Sequence, residues 1–231
     1  NGMNLSSIMG KKKPVIAIVQ ARMNSSRFRG KVLKKTGDIT CIELLLKRLY
    51  KSKLIDKIIV ATSTNSYDDI LHNKINSIGV ECFRGDEINV LKRYIDAINK
   101  TKGKTIVRIT GDCPLIDPHI VDKVINNFLE AEVDYASNVN PPTFPDGMSV
   151  EVISRNCLEK IYSMNLNSYH LEHVTTFIRE NINFSKINLR NRKDFSEIRI
   201  TLDEKIDLEV INSVVENFKP NIFFSLNDII N

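Results

Sequence analysis

The sequence has none of the spacings that announce a metal or thiol centre. Its four cysteines, Cys41, Cys82, Cys113 and Cys157, are scattered with no C-x-x-C pair. They read as reduced core or near-site thiols of a cytosolic protein. No His/Cys spacing suits a zinc site. There is no G-x-S-x-G elbow and no G-x-x-x-x-G-K-[ST] loop, so neither a hydrolase nucleophile of that type nor a Walker loop is present. No apolar run approaches a transmembrane length, and the five-residue run Val15 to Val19 is too short for a signal-peptide core. Repeats, low-complexity tracts and linkers are also missing. Residues 1–12 are expected to be a disordered tail, and residues 13–231 to form one domain. Positive charge is only mildly in excess, +5, with part of it in Lys11-Lys12-Lys13 and in Arg190, Arg192 and Lys193. A nucleic-acid binder wants a dense basic face with interleaved aromatics. The expected partners are therefore small anions, with neither nucleic acid nor membrane among them.

What is present is the composition of one sizeable α/β domain: 231 residues, 42% hydrophobic and 26% charged. Short β-branched runs alternate with amphipathic stretches. Strands are expected at residues 15–19, 57–62, 80–83 and 105–109, and helices at 41–53, 67–77, 87–100 and 118–131. This alternation argues for a mostly parallel sheet covered on both faces. The pattern then loosens. A strand is expected at 134–137, a proline-rich surface loop at 138–147, and further strands at 149–153, 185–189 and 198–202. Helices are expected at 154–163, 168–181 and 206–217.

The stretch Gln20 to Lys31, QARMNSSRFRGK, organises the rest. It leaves the first strand, where open α/β sheets bind ligands. It packs Arg22, Arg27, Arg29 and Lys31 around Ser25, Ser26 and Gly30. Small residues let backbone N–H groups approach an anion, and fixed cations neutralise it. The reading is a polyphosphate cradle.

Two carboxylates complement it. Asp112 ends the fourth strand in T-G-D-C-P, where a Mg²⁺ bound to phosphate would be held. Asp203 follows the expected 198–202 strand in R-I-T-L-D-E; it could equally cap the helix after it. Two carboxylates around a cationic phosphate pocket suit metal-assisted phosphoryl chemistry. Thr62, Ser63 and Asn65, at a neighbouring strand end, could read a base edge or ribose, or be ordinary turn residues.

Arg22, Ser25, Arg27, Gly30, Lys31 and Leu33 match the R-x-x-S-x-R-[LF]-x-G-K-x-L pattern of sugar-acid cytidylyltransferases. The chain resembles that family from about Val15 to Asn231, and most closely its spore-coat polysaccharide branch. One position departs: Arg29 stands where the family usually has proline. The resemblance implies a Rossmann-like three-layer α/β/α sandwich of the nucleotide-diphospho-sugar transferase type. It implies a Mg²⁺-dependent enzyme that couples CTP to an acceptor and releases pyrophosphate. Gln20, Ala21, Arg22, Ser25, Arg27 and Lys31, with Thr110, Gly111 and Asp112, would hold the nucleotide. Arg84, Gly85 and Asp86 would lie near the base. Arg22, Arg27, Lys31 and Asp112 would carry the catalysis, and Asp112 and Asp203 the metal. Asp146, Gly147 and Glu151, and the E-H-V-T motif with Glu172 and His173, would face the acceptor. That acceptor is expected to be an anionic sugar acid of the nonulosonic or octulosonic type; a phosphorylated alcohol or amino-acid phosphate is the alternative. The resemblance also implies a homodimer, with Ser154 to Asn191 as the interface. A glycosyltransferase-like enzyme on the same fold would want D-x-D where this chain has Gly111-Asp112-Cys113.

Overall fold

The structure, a computed structural model, describes residues 5–231. Helix α1 (Leu5–Lys11) precedes strand β1 (Val15–Gln20). A single 3₁₀ turn at Lys31–Leu33 leads to a small ribbon, β2 (Lys35–Thr36) and β3 (Ile39–Thr40). Then come α2 (Cys41–Leu49), β4 (Lys57–Ser63), α3 (Asp69–Ser77), β5 (Glu81–Gly85), α4 (Val90–Ile98), β6 (Thr105–Thr110) and α5 (Pro118–Glu130). The second part holds β7 (Tyr135–Ser137), β8 (Glu151–Ser154), α6 (Arg155–Tyr162), α7 (Ser168–His173), α8 (Thr176–Glu180), β9 (Lys186–Asn188), α9 (Lys205–Phe218) and α10 (Leu226–Ile230).

Seven strands form one sheet in the order β5-β4-β1-β6-β8-β7-β9. β5, β4, β1 and β6 run parallel, β8 is antiparallel to both its neighbours, and β9 runs parallel to β7. Side chains alternate across β1. Val15, Ala17 and Val19 pack into a core that includes residues of α2 and α5. Ile16 and Ile18 face the opposite core, built on α4 and α6. This period of two on a doubly covered strand makes the three-layer sandwich.

Several expectations are corrected by the neighbours each segment finds. Residues 1–4 of the expected tail lie outside the described residues, but Leu5–Lys11 are helical. The segment is docked because Lys12 donates to the carbonyl of Phe128 at 2.8 Å and Thr105 Oγ1 donates to the Lys12 carbonyl at 2.7 Å. The expected 198–202 strand is not one. Its backbone divides between two partners: the carbonyl of Ile198 and the N–H of Ile200 bond Asp146, while the N–H of Leu202 bonds the Asp112 carbonyl at 2.7 Å. Only a single bridge, Asp146 to Arg199, results. The expected 168–181 helix breaks at Val174, whose φ is 59°; Thr175 N–H turns back to the His173 carbonyl at 2.6 Å. Helix α4 starts at Val90 rather than Glu87, because Asn89 caps it and the Asp86 carboxylate takes the N–H groups of Ile88 and Asn89.

Candidate active site

A cleft of about 460 Å³ opens at the C-terminal ends of β1 and β6. Gln20 and Thr110, the last residues of those strands, form its floor, and the Gly111 N–H ties the two exits together by bonding the Gln20 carbonyl at 2.7 Å. One wall is the cradle: Ala21, Arg22, Ser25, Ser26, Arg27 and Lys31, with Asp112 and Asp203 beside them. The other wall carries Glu87, Arg93, Arg108, Glu172 and His173. The end of β1 delivers this loop to the cleft, the place where open α/β sheets bind ligands.

Asp203 closes an ion-pair cluster with the cradle. It pairs with Arg27, with Lys31 at 3.3 Å and more distantly with Arg199 at 3.9 Å. Burial would raise its carboxyl, but Lys31 and then Arg27 outweigh burial and hold it below the usual range. Asp112 accepts from the Thr110 hydroxyl. The Asp112 carbonyl is gripped by the Leu202 N–H and, at 2.9 Å, by the Thr201 hydroxyl. That grip is what brings the segment before Asp203 to the cleft. Asp203 does not cap α9 with its side chain; Glu204 and Asp207 form the capping box there.

Among the described residues, no group of three or more His, Cys, Asp or Glu side chains could hold a metal by itself. Asp112 and Asp203 on one cleft do fit a Mg²⁺ that takes most of its remaining ligands from water and substrate phosphate, the usual mode for this ion.

Other expected residues support the walls without lining the cleft. Thr62 and Ser63 are buried. The Ser63 hydroxyl donates to Asp68, whose carboxylate also accepts the Met23 N–H at 2.7 Å and so anchors the start of the cradle. Asn65 caps the turn at Ser66–Asp68 and donates to Glu87 at 3.1 Å. Arg84 bonds the carbonyls of Ser63 and Asn65 and pairs with Asp69 at 2.7 Å. Asp86 caps towards α4, and Gly85 lies against Arg93.

Of the acceptor group, Glu172 and His173 line the cleft, presented by the turn at Val174. Asp146 stands outside it, paired with Arg199 at 3.4 Å, and burial pushes its carboxyl up against that pairing. Gly147, with φ 110°, lies so close to the Ile200 carbonyl that a Cβ would sit 2.8 Å from it. Glu151 is 5% exposed. It pairs with Arg108 at 2.6 Å and accepts from Tyr135 at 2.5 Å. Burial would raise Glu151, but Arg108 holds it below the usual range; Glu151 in turn raises Arg108 against burial. Arg155 is spent on the carbonyls of Ile98, Thr101 and Gly103, and Arg199 on Asp207 at 2.8 Å.

Sequence reasoning did not find Arg93, Arg108, Glu87 or Asp68. Arg108 carried one usable signal: a charge inside an otherwise apolar strand, T-I-V-R-I-T.

A cationic cleft with two carboxylates, set at the strand ends of a doubly covered sheet, is the place and charge pattern in which such sheets bind phosphorylated ligands. The sequence comparisons narrow that reading. The family model described as Cytidylyltransferase matches residues 16–222, and the chain belongs to this family, whose chemistry is nucleotidyl transfer. It is 39% identical to the uncharacterized protein MJ1063 of Methanocaldococcus jannaschii, over 88% of this chain and 84% of that one. It is 32% identical to the spore coat polysaccharide biosynthesis protein SpsF of Bacillus subtilis, over 87% and 86%. The solved structure of a cytidylyltransferase from Leptospira borgpetersenii superposes with a TM-score of 0.90 at 34% identity, covering 94% of this chain and 92% of that one. No helix among the described residues is long and apolar enough to cross a membrane.

Proposed function

We propose that the protein couples CTP to an anionic sugar acid, giving a CMP-activated sugar and pyrophosphate for surface polysaccharide synthesis. The observation that carries this reading is the meeting of Arg27, Lys31, Asp112 and Asp203 on one cleft. Family membership and the likeness to SpsF support the donor and the pathway class.

In this reading the acceptor oxygen attacks the α-phosphorus in line and pyrophosphate leaves. The protein's work is positioning and charge neutralisation. Lys31 and Arg27 exchange Asp203 for the β- and γ-phosphates. Arg22 stabilises charge developing on the bridging oxygen. Asp112 and Asp203 would hold Mg²⁺, which when bound supplies neutralisation of phosphate charge. Glu172 and His173 face the acceptor. The site residues, the use of Mg²⁺, a cytoplasmic location and a homodimer all belong to this proposal. The segment from Ser154 to Asn191 exposes Tyr162, Tyr169 and Ile182, with Ile182 93% exposed, which supports it as the dimer contact.

Thermal unfolding with Mg²⁺ and CTP, UTP, ATP or GTP tests the donor. Ligand at about 100 times its Kd adds roughly 2.7 kcal/mol, a shift on the order of 5–10 °C for a chain of this size. A shift with CTP alone is expected, followed by pyrophosphate release when sugar acids are screened. A larger shift with another nucleotide overturns the cytidylyl assignment.

A further inference from the structure

Four arginines are held in or against the interior by backbone carbonyls, and they are not used alike; Arg84 also pairs with Asp69. Arg48, fully buried, spends Nε, Nη1 and Nη2 on the carbonyls of Ile116, Ile222 and Leu115 and stacks on Phe224. Arg155 spends Nη1 on three carbonyls and its other nitrogens on Glu159 and Asn99. Arg93, 1% exposed, donates from Nε to the Asp86 carbonyl at 2.8 Å and from Nη2 to the Glu87 carbonyl at 2.9 Å. Its Nη1 has no partner among the described residues, and the side chain lines the cleft. No carboxylate among the described residues pairs with it.

The surroundings fix this guanidinium in place. A Cβ on Gly85 would meet Arg93 Cγ and Phe83 Cε1, each at 2.9 Å, so glycine there leaves the room the arginine stem occupies. Arg22, on the cradle side of the same cleft, makes no ion pair with any described residue. Burial lowers the pKa of Arg93 and Arg22 lowers it further, while Tyr94, Asp68 and Asp86 raise it, so the two cations feel each other. Folding therefore brings two guanidinium groups to one cleft, neither of them ion-paired with a carboxylate of the described residues. A preorganised donor pair of this kind is suited to an oxyanion.

We propose that Arg93 completes the phosphate site from the α4 wall, its free Nη1 and the Arg22 guanidinium gripping one phosphate oxygen of the bound nucleoside triphosphate. This rests on the nucleotide reading above, so the test separates the phosphate from the base. The full chain, native and as Arg93→Met and Arg93→Lys, is titrated calorimetrically with tripolyphosphate and, separately, with Mg²⁺ and CTP, UTP, ATP or GTP. Losing one charge-assisted contact should weaken tripolyphosphate and CTP alike in Arg93→Met by about tenfold to a hundredfold. Arg93→Lys should fall between, since one ammonium cannot hold both carbonyls and a phosphate. A folded Arg93→Met that binds tripolyphosphate within about twofold of the native protein overturns the proposal while leaving the nucleotide reading intact. Tripolyphosphate binding that needs Arg93, with no preference for CTP over other nucleotides, keeps the phosphate contact and sinks the cytidylyl reading. If neither variant folds, a crystal of the native protein with tripolyphosphate decides: a phosphate oxygen bonded to Arg93 Nη1 supports the assignment, and its absence overturns it.

Discussion

The two walls of the cleft carry positive charge by opposite means. On the cradle wall, Arg27 projects from a loop with 64% of its side chain exposed, and both it and Lys31 are balanced by the single carboxylate of Asp203. On the opposite wall, Arg93 and Arg108 are sunk into the structure, one held by two carbonyls and the other by Glu151. An exposed charge can be removed at little cost to the fold; a buried one cannot, because its partner is left desolvated and unpaired. Binding and stability are therefore separable at Arg27 on the first wall, where Lys31 is itself only 12% exposed, and joined on the second.

The largest expected effect sits on the cradle wall. Arg27→Ala, which removes the exposed charge of that wall, should lower kcat/KM for pyrophosphate release on the order of 10²–10³, as for loss of one preorganised charge donor, while melting stays within about 2 °C of native. A large fall in melting temperature would break the distinction between the walls. Next is Glu151→Gln, which leaves the Arg108 charge without a counterion. It should cost about 3 kcal/mol or more, seen as a Tm fall of roughly 6–12 °C. Gly85→Ala drives a Cβ into Arg93 and Phe83. It should cost about 1–3 kcal/mol as overpacking, and calorimetry should show weaker CTP binding than in the native protein; unchanged binding would separate Arg93 from the site.

The smallest effect tests the support of Asp203. Asp207 accepts from Arg199 and from the N–H groups of Asp203 and Glu204. Those bonds, with Arg199 the largest cause, hold its carboxyl at about 2, below the ordinary 3.8. A depressed carboxyl stabilises the folded state above its unfolded pKa and loses that contribution as pH falls through the folded value. Asp207→Asn should thus cost about 1 kcal/mol at neutral pH, and chemical denaturation should show the gap to native closing between about pH 4 and pH 2.

The cradle wall was legible in the sequence because its residues are consecutive and its charges stand out in a loop. The fold was legible for a related reason: β1, β4 and β6 are short, largely apolar runs, with helix-period segments between and after them. The second wall was not. Arg93 lies within a helical apolar pattern and reads as its polar face, and only packing against Gly85 and the 86–87 carbonyls turns it inward. Thr62 and Ser63 looked like ligand groups since they end a strand, yet both are buried beneath the wall, with Ser63 bonded to Asp68. The break at Val174 has no residue signal at all, since neither glycine nor proline marks it. Residues 198–202 alternate like a strand, but their hydrogen bonds go to two different loops.

The grip of Leu202 and Thr201 on the Asp112 carbonyl has a mechanical consequence. Asp112 and Asp203, distant in the chain, hang from one backbone clamp, which is itself seated on Asp146 and wedged against Gly147. The two carboxylates therefore travel as a single block. A shift of either segment is passed through that clamp to both carboxylates at the acidic edge of the cleft.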